Sequence, residues 1–282
     1  MTLRPELCSV HTHSTFCDGK ASLAEMAAAA CAAGVWYFGA SGHSHTDIPY
    51  DAGGVLTADA VLYRREVLRL RAEYAGRMEV LLGIEWDSQS PGPVPGWAEY
   101  WIGSVHNLRD PESGTCYAVD WDREKWTECR EGLFHGDAPA MIEGYYRAVA
   151  ETAARKPTIL GHLDLVAKFN GDGTLFDEAD PRYRQSALEA LHAADPADTV
   201  LEVNTGGVAR GYRSAPYPAL FLLREWRRMG GRILLTADAH RPEQILFGYG
   251  LAAETALAAG FRESVLLTAG GFVPCPLESS RA

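Results

Sequence analysis

Histidines and carboxylates follow the apolar segments of this chain, beginning with the first segment. His11 and His13 stand one residue apart at the end of a short apolar run, and Asp18 follows five positions after the second histidine. Alternate side chains of a strand lie on the same face, so the two histidines can bind one metal ion together. A lone His-x-His pair is also typical of an ordinary strand end. The prediction of a metal site therefore depends on whether such residues recur.

Similar residues recur near the ends of the other apolar segments. The candidate metal ligands are His11, His13, Asp18, His43, Glu85, His106, His162, Asp238 and His240. One ion takes about four to six ligands, so the set fits two or three divalent ions, with Glu85 as the bridging carboxylate. Imidazole and carboxylate ligands without thiolate favour zinc, manganese or iron. Each residue alone is compatible with a structural role, but their shared position favours a multinuclear metal site.

Strand-like and helix-like segments alternate along the chain and place these ligands. The apolar segments predict strands at 7–10, 35–40, 79–85, 100–106, 157–162, 199–204 and 232–240, with a last short strand at 264–268. The segments between them predict helices at 21–33, 57–74, 139–155, 181–194, 218–229 and 249–259, and a short helix near 122–130. Ser22 and Glu25 form a capping-box pattern at the start of the first helix.

The regular alternation predicts an α/β fold with a parallel sheet. In a TIM-like β/α barrel the C-terminal strand ends converge on one face, whereas an open doubly wound sheet binds ligands at one switch point. Because the candidate ligands are spread over the strands, a closed barrel is favoured, with the metal site at the C-terminal strand ends. We expect a single domain over 1–282, with a long active-site loop at about 107–138 and a C-terminal tail at about 262–282 that carries no motif.

Composition narrows the possible partners and location. The formal net charge is −11, which disfavours binding to nucleic-acid phosphates. The six cysteines form no Cys-x-x-Cys pair and are scattered, as is typical of a reducing compartment. The first residues lack the apolar region of a signal peptide, and the apolar runs are too short to span a membrane. We therefore expect a cytoplasmic protein with a small-molecule partner.

Several of these stretches together resemble the PHP (polymerase and histidinol phosphatase) phosphoesterases, and within them the histidinol-phosphatase branch. The matching stretches follow in family order from about residue 7 to 248: His11-Thr12-His13, Ser41-Gly42-His43-Ser44, Gly83-Ile84-Glu85, Ile102-Gly103-Ser104-Val105-His106, Leu160-Gly161-His162-Leu163-Asp164, Leu201-Glu202-Val203-Asn204-Thr205-Gly206 and Ala237-Asp238-Ala239-His240. The resemblance implies a distorted seven-stranded barrel, (β/α)7, with a trinuclear site.

The resemblance also implies how the ligands divide among the ions. The first ion would be held by His11, His13, Glu85 and Asp238, the second by Glu85, His106 and His162, and the third by Asp18, His43 and His240. Glu85, Asp238 and His240 are thereby implied to be catalytic. Many family members have an acidic residue just before the histidine of the second strand, where this chain has Gly42. His45 competes with His43 as a ligand. Alternatively, His45 contacts a metal ligand without binding the metal, or it acts as an acid.

The implied activity is a metal-dependent phosphomonoesterase that converts L-histidinol phosphate to L-histidinol and phosphate, a step of histidine biosynthesis. The mechanistic hypothesis is attack on phosphorus by a metal-bridging hydroxide. Arg210, Arg213 and Lys168 are the candidates for binding the phosphate. The alternatives are a PHP phosphoesterase acting on another small phosphate ester or nucleotide, and an inactive metal-binding barrel.

The rest of such a substrate, an ammonium and an imidazole, needs acidic or aromatic side chains near the mouth of the site. Asp164, Glu202, Trp97 and Tyr212 are the candidates. Asp164 and Glu202 could equally hold the ligand histidines in place.

Overall fold

The computed structural model describes residues 2–46, 48, 54–55 and 60–278. Their strands are β1 Cys8–Ser9, β2 Tyr37–Ala40, β3 Glu79–Asp87, β4 Tyr100–Ser104, β5 Asn107–Arg109, β6 Cys116–Ala118, β7 Ile159–Leu160, β8 Val200–Asn204, β9 Arg232–Thr236, β10 Glu263–Thr268 and β11 Gly271–Pro276. Their helices are α1 Leu23–Ala32, α2 Ala60–Glu73, α3 Arg123–Phe134, α4 Ala138–Ala154, α5 Pro181–His192, α6 Gly206–Ala209, α7 Leu220–Arg228 and α8 Tyr249–Ala259, with short 3-10 turns at Pro5–Leu7, Leu165–Ala167 and Pro242–Gln244.

Seven parallel strands curl into a nearly closed barrel. Their order in the sheet is β1-β2-β3-β4-β7-β8-β9. The segments that follow β1 and β9 meet through a parallel bridge between Thr12 and Ala239. There the His13 N–H donates to the Ala239 carbonyl oxygen at 2.8 Å, and the Ala239 N–H donates to that of His11 at 3.1 Å. The predicted TIM-like α/β barrel is confirmed, and its closure lies at the C-terminal strand ends.

Local signals in the sequence set most of the helices. At the start of α1 the Glu25 N–H donates to Ser22 Oγ at 3.2 Å, and the Ser22 N–H donates back to Glu25 Oε2 at 2.8 Å. This is the predicted capping box. Helix α8 has the predicted bounds. The predicted start of the helix at 57–74 lies outside the described residues, and the described helix begins at Ala60. No helix of the described chain is long and apolar enough to cross a membrane.

The barrel interior below the polar strand ends is filled by the ring of Tyr100. Its hydroxyl donates to the Val10 carbonyl oxygen at 2.7 Å, and the residue is 2% exposed. Gly39 of β2 and Gly83 of β3 face this ring, and a Cβ at either position would overlap it. The two glycines therefore provide the space in which the Tyr100 ring packs.

The C-terminal segment forms a hairpin that covers the N-terminal end of the barrel. Strands β10 and β11 pair antiparallel. Their buried side chains join the barrel interior in one apolar cluster, which comprises Leu7, Cys8, Val10, Leu81, Tyr100, Ile102, Ile159, Val200, Leu234, Val265, Leu266, Leu267 and Cys275. The prediction of a tail without a motif missed β11, because Pro274 and Pro276 argue against a strand in a sequence pattern. They are tolerated here in a two-stranded hairpin.

The predicted long loop at 107–138 is more ordered than the sequence indicated. The short helix predicted near 122–130 is present as α3, and the segment also contains the antiparallel pair β5–β6, which was not predicted. Each strand has three residues, too few to show an alternating pattern. Trp126 of α3 is buried, and its Nε1–H donates to the Val166 carbonyl oxygen at 3.1 Å. The segment is thereby fixed against the loop that follows β7.

We expect Gly83→Ala to destabilise the barrel by about 1 to 3 kcal/mol, because the added methyl group overlaps the buried Tyr100 ring. Urea denaturation gives the free energy of unfolding. Gly96→Ala is the matched control, since a Cβ there meets no heavy atom within 4 Å. A Gly83→Ala protein as stable as the control would contradict this account of the packing.

Candidate metal centre

The fold brings the nine predicted metal ligands together at one end of the barrel. They form four overlapping groups, and within each group the ligand atoms lie within 4.8 Å of one another. The groups are His13, Asp18, His43 and His240; His11, Glu85 and His162; His11, His13 and Asp238; and His43, Glu85 and His106. Each group could hold a metal ion. The roles of the individual residues as ligands stay predictions.

The strand ends explain this convergence. His11 and His13 follow β1, and Glu85 lies within β3. The others follow the ends of β2, β4, β7 and β9, with Asp18 in the turn that leaves the first strand segment. Parallel strands of a barrel end on the same face, so side chains up to 229 positions apart in the chain can share an ion.

Four separations among the ligand atoms of His11, His13, Glu85 and Asp238 are close to those expected around a metal ion. The Nε2 atoms of His11 and His13 each lie 3.4 Å from Glu85 Oε2. They lie 3.6 and 3.1 Å from Asp238 Oδ1, respectively. Metal bonds of about 2.0 to 2.1 Å at tetrahedral angles place ligand atoms about 3.3 Å apart. These four distances are therefore compatible with ligands of one zinc-sized ion.

Unpaired polar atoms at the same point also fit a cation. The Nε2 atoms of His11 and His13 and the Oε2 atom of Glu85 are buried and make no hydrogen bond. Buried polar atoms without a partner are rare because they cost free energy. A cation coordinated by all three atoms would satisfy them. The donor set is thus suited to a divalent metal.

The two carboxylate oxygens of Glu85 have the surroundings that its predicted bridging role requires. Its Oε1 atom lies 2.9 Å from His162 Nε2 and 3.3 Å from His106 Nε2, while Oε2 faces His11 and His13. The two oxygens therefore face different histidines. His43 also spans two groups, with Nδ1 2.9 Å from Glu85 Oε2 and Nε2 3.4 Å from Asp18 Oδ1. This overlap leaves the division of ligands among ions a prediction.

Asp18 completes the outer group. Its Oδ2 atom lies 3.1 Å from His240 Nε2, and its Oδ1 atom lies 3.8 Å from His13 Nδ1. The Asp18 side chain is 53% exposed, far more than the other two carboxylates of the cluster, so this group faces the solvent. Cys17 Sγ lies 3.5 Å from His13 Nδ1 and is half-buried, on the outer side of that ring.

Two further carboxylates contact the Nδ1 atoms of two of the histidines. Glu202 Oε2 lies 2.8 Å from His11 Nδ1 and accepts from the Thr236 hydroxyl at 2.8 Å, and Glu202 Oε1 accepts from the His162 N–H at 2.5 Å. Asp87 Oδ2 lies 3.0 Å from His106 Nδ1. Such contacts orient a ligand ring and keep its other nitrogen ready for the metal.

Asp87 was missed in the sequence, although a signal was present. It stands two residues after Glu85 on β3, and alternate strand residues share a face. Glu202 was weighed both as a substrate contact and as a support for the ligands, and its contacts place it as a support. Asp164 is buried and accepts from the Ala219 N–H before α7, so it too acts within the fold.

The electrostatics of the cluster favour ionised carboxylates beside histidines. Burial alone would raise the pKa of Glu85, but His43, His11 and His106 hold it well below its usual value. Burial alone would lower the pKa of His43, but Glu85 and Asp18 outweigh it and raise the pKa to about 9. Protons and a metal ion therefore compete for His43, and metal binding should weaken in acid.

A cavity of about 490 Å³ opens above the cluster, a volume suited to a small molecule. Besides cluster members it is lined by Lys20, Asp120, Leu165, Lys168, Ala209, Arg210, Tyr212, Arg241 and Gln244. Lys20, Asp120 and Arg241 were not singled out in the sequence. They lie on loops whose approach to the cavity no local pattern reveals.

The predicted substrate-binding residues divide between two places. Arg210 and Lys168 line the cavity, and Arg210 Nη2 donates to Asp238 Oδ2 at 2.7 Å. Arg213 instead pairs with Glu178 at 2.7 and 3.0 Å and lines a separate depression. The geometry therefore supports Arg210 and Lys168, and gives Arg213 no place in this cavity.

The remaining candidates also separate. Tyr212 lines the cavity, whereas Trp97 packs against Tyr63, with ring centres 6.2 Å apart. His45 belongs to none of the four ligand groups formed by the described residues, which favours His43 in their competition.

Comparison with known proteins identifies the family. The PHP domain model matches residues 9–206. The chain belongs to the PHP family. It is 33% identical over 258 residues to a probable histidinol-phosphatase of Deinococcus radiodurans, covering 86% of this chain and 90% of the relative. It is 26% identical over 225 residues to the histidinol-phosphatase of Bacillus subtilis, covering 73% and 80%, respectively.

Solved structures of similar fold belong to the same group. A putative histidinol phosphatase from Listeria monocytogenes superposes with a TM-score of 0.71 at 17% identity, covering 86% of this chain and 98% of the other. The histidinol phosphate phosphatase from Lactococcus lactis, solved with zinc, L-histidinol and phosphate, gives 0.65 at 18% identity, covering 94% and 98%. At these identities the structures establish the shared PHP fold.

We expect Glu85→Gln to lose most of its bound metal while the protein stays folded, because an amide offers one neutral oxygen where two groups of histidines need a charged bridge. Metal content after dialysis, measured by plasma mass spectrometry, tests this expectation. Glu112→Gln, an exposed change elsewhere, is the control. Wild-type metal content in Glu85→Gln would refute the bridging role.

Proposed function

We propose that this chain is a metal-dependent phosphomonoesterase that hydrolyses L-histidinol phosphate to L-histidinol and phosphate. The observation that carries the proposal is the cluster of nine histidines and carboxylates at the floor of a cavity lined by cationic side chains. Relatives from Deinococcus radiodurans and Bacillus subtilis carry the histidinol-phosphatase name, and the Lactococcus lactis structure holds zinc with L-histidinol and phosphate. The reaction belongs to histidine biosynthesis.

The four ligand groups have the capacity for two or three divalent ions, with zinc, manganese and iron as the suitable metals. Bound ions of this kind would supply positive charge for the phosphate oxygens and lower the pKa of a water molecule toward neutrality. We assign Glu85 as the bridging carboxylate, with Asp238 and His240 beside it as catalytic residues. Glu202 and Asp87 keep the ligand rings in position.

The phosphate group needs fixed positive charge beyond the ligand cluster. Arg210 provides it, because its guanidinium is held by Asp238 Oδ2 at 2.7 Å and by the Asp238 carbonyl oxygen at 3.2 Å. Lys168, Lys20 and Arg241 also line the cavity and add positive charge to it. As the P–O ester bond breaks, negative charge grows on the oxygens, and preorganised cations stabilise this state without moving.

Turnover after metal replacement tests the function. Protein stripped with a chelator and then supplied with zinc, manganese or iron should hydrolyse L-histidinol phosphate with a kcat/KM at least about tenfold above that for p-nitrophenyl phosphate. Equal values would remove the substrate assignment and leave a general phosphoesterase. Absence of turnover of both esters with every metal would remove the enzyme assignment.

The two arginines make a matched pair for mutation. Arg210→Ala should raise KM for L-histidinol phosphate about 10- to 100-fold, since it removes charge-assisted hydrogen bonds to phosphate. Arg213→Ala should change KM by less than about threefold, because Arg213 pairs with Glu178 away from the cavity. Steady-state kinetics on the folded fraction of each variant decides the matter. Unchanged kinetics in Arg210→Ala would return it to a structural role.

A further inference from the structure

One carboxylate in the cavity is not engaged by the metal cluster. A second depression adjoins this cavity and shares Lys20, Lys168 and Tyr212 with it. Within the described chain, the carboxylates that line the two are Asp18, Glu85, Asp87, Asp120 and Asp238. Asp18, Glu85 and Asp238 belong to ligand groups, and Asp87 holds His106. Asp120 does neither. Its hydrogen-bond partner among the described residues is Lys168.

The position of Asp120 is fixed by a buried lysine. It lies between β6 and α3, where the 107–138 segment faces the loop after β7. Lys168 Nζ donates to its backbone carbonyl oxygen at 2.5 Å and to Oδ2 at 3.3 Å. Lys168 is 9% exposed and lies over the rings of Phe169 and Tyr212, each 5.4 Å from Nζ. The lysine is thus confined and holds Asp120 in place.

The second oxygen of Asp120 remains available to a ligand. Among the residues that the structure describes, no donor forms a hydrogen bond to Oδ1. A carboxylate can accept several hydrogen bonds, so the contact with Lys168 does not saturate it. The Asp120 side chain therefore presents an anionic acceptor at a cavity whose other side chains outside the ligand cluster are mainly cationic or neutral.

The proposed substrate brings a matching group. L-Histidinol phosphate carries an ammonium on the carbon next to the ester-bearing carbon. An ammonium entering a cavity lined by Lys20, Lys168, Arg210 and Arg241 meets repulsion unless an anion receives it. The ligand-cluster carboxylates are occupied when metal is bound. Asp120 is then the one carboxylate left to pair with it in the described part of the site.

We propose that Asp120 binds the ammonium group of the substrate through Oδ1 and thereby selects amino-alcohol phosphates over phosphate esters that lack an amine. This inference rests on the proposed function and names a specificity residue for it. Lys168 is the positioning residue that holds Asp120. Tyr212 borders the same space, where its partly exposed ring offers a flat surface to the imidazole.

Asp120→Asn tests the pairing, because it removes the charge but preserves the shape and the backbone contact with Lys168. For L-histidinol phosphate, kcat/KM should fall about 10- to 100-fold, the loss expected for a charged hydrogen bond. For 3-(imidazol-4-yl)propyl phosphate, which has no amine, it should change by less than about threefold. An equal loss for both esters, or no loss for either, would overturn the proposal.

Binding gives a second measurement that does not depend on turnover. Calorimetry on the zinc-loaded protein should show that Asp120→Asn lowers the affinity for L-histidinol about 10- to 100-fold. The affinity for 3-(imidazol-4-yl)propan-1-ol should stay unchanged. Glu112→Gln, an exposed change in the same 107–138 segment, should alter neither. Equal affinities of wild type and Asp120→Asn for L-histidinol would overturn the assignment.

The two proposals fail in different ways. A wild-type protein that treats L-histidinol phosphate like p-nitrophenyl phosphate overturns the proposed function and with it the role of Asp120. A wild-type protein that prefers L-histidinol phosphate, together with an Asp120→Asn variant that keeps the full preference for the amine, overturns the role of Asp120 alone. Asp120→Ser replaces the asparagine variant if that variant does not fold.

Discussion

Closure of the sheet between β1 and β9 is the constraint on which the rest of this protein depends. The bridge between Thr12 and Ala239 sets the first strand end against the last one. It brings His11 and His13 within 3.6 Å of Asp238 Oδ1. An open sheet would leave these residues at opposite edges. The glycines around Tyr100 and the C-terminal hairpin pack the barrel below the predicted metal ligands.

At the C-terminal strand ends, the barrel contains a buried polar network instead of apolar side chains. Glu85 and Glu202 are at most 1% exposed, and such carboxylates are stable only when charge and hydrogen bonds compensate for lost hydration. Glu202 is satisfied within the protein by His11, Thr236, Asn204 and the His162 N–H. Glu85 is not, since its Oε2 makes no hydrogen bond. This difference supports a positioning role for Glu202 and the predicted metal-binding role for Glu85.

Different segments of the chain line the cavity. Arg210 approaches from the segment after β8 and is fixed by Asp238, so fixed positive charge stands beside the ligand cluster. Another part of the lining comes from the 107–138 segment and the loop after β7, which are joined by the pair of Asp120 and Lys168. Trp126 anchors this part through Val166. Both parts are loops on a rigid barrel, the usual arrangement when a fold supports varied substrates.

The sequence by itself determined the barrel class, the main helices and strands, and the nine residues that converge. These follow from local periodicity and from polar residues at strand ends, which are readable one segment at a time. Only the tertiary structure decided that Arg213 pairs with Glu178, that Asp87 and Glu202 support the histidines, and that Asp120 enters the cavity. It also decided that the tail pairs as a hairpin beneath the barrel. Such contacts join residues far apart in the chain, and their partners are fixed by how the loops pack rather than by any local pattern.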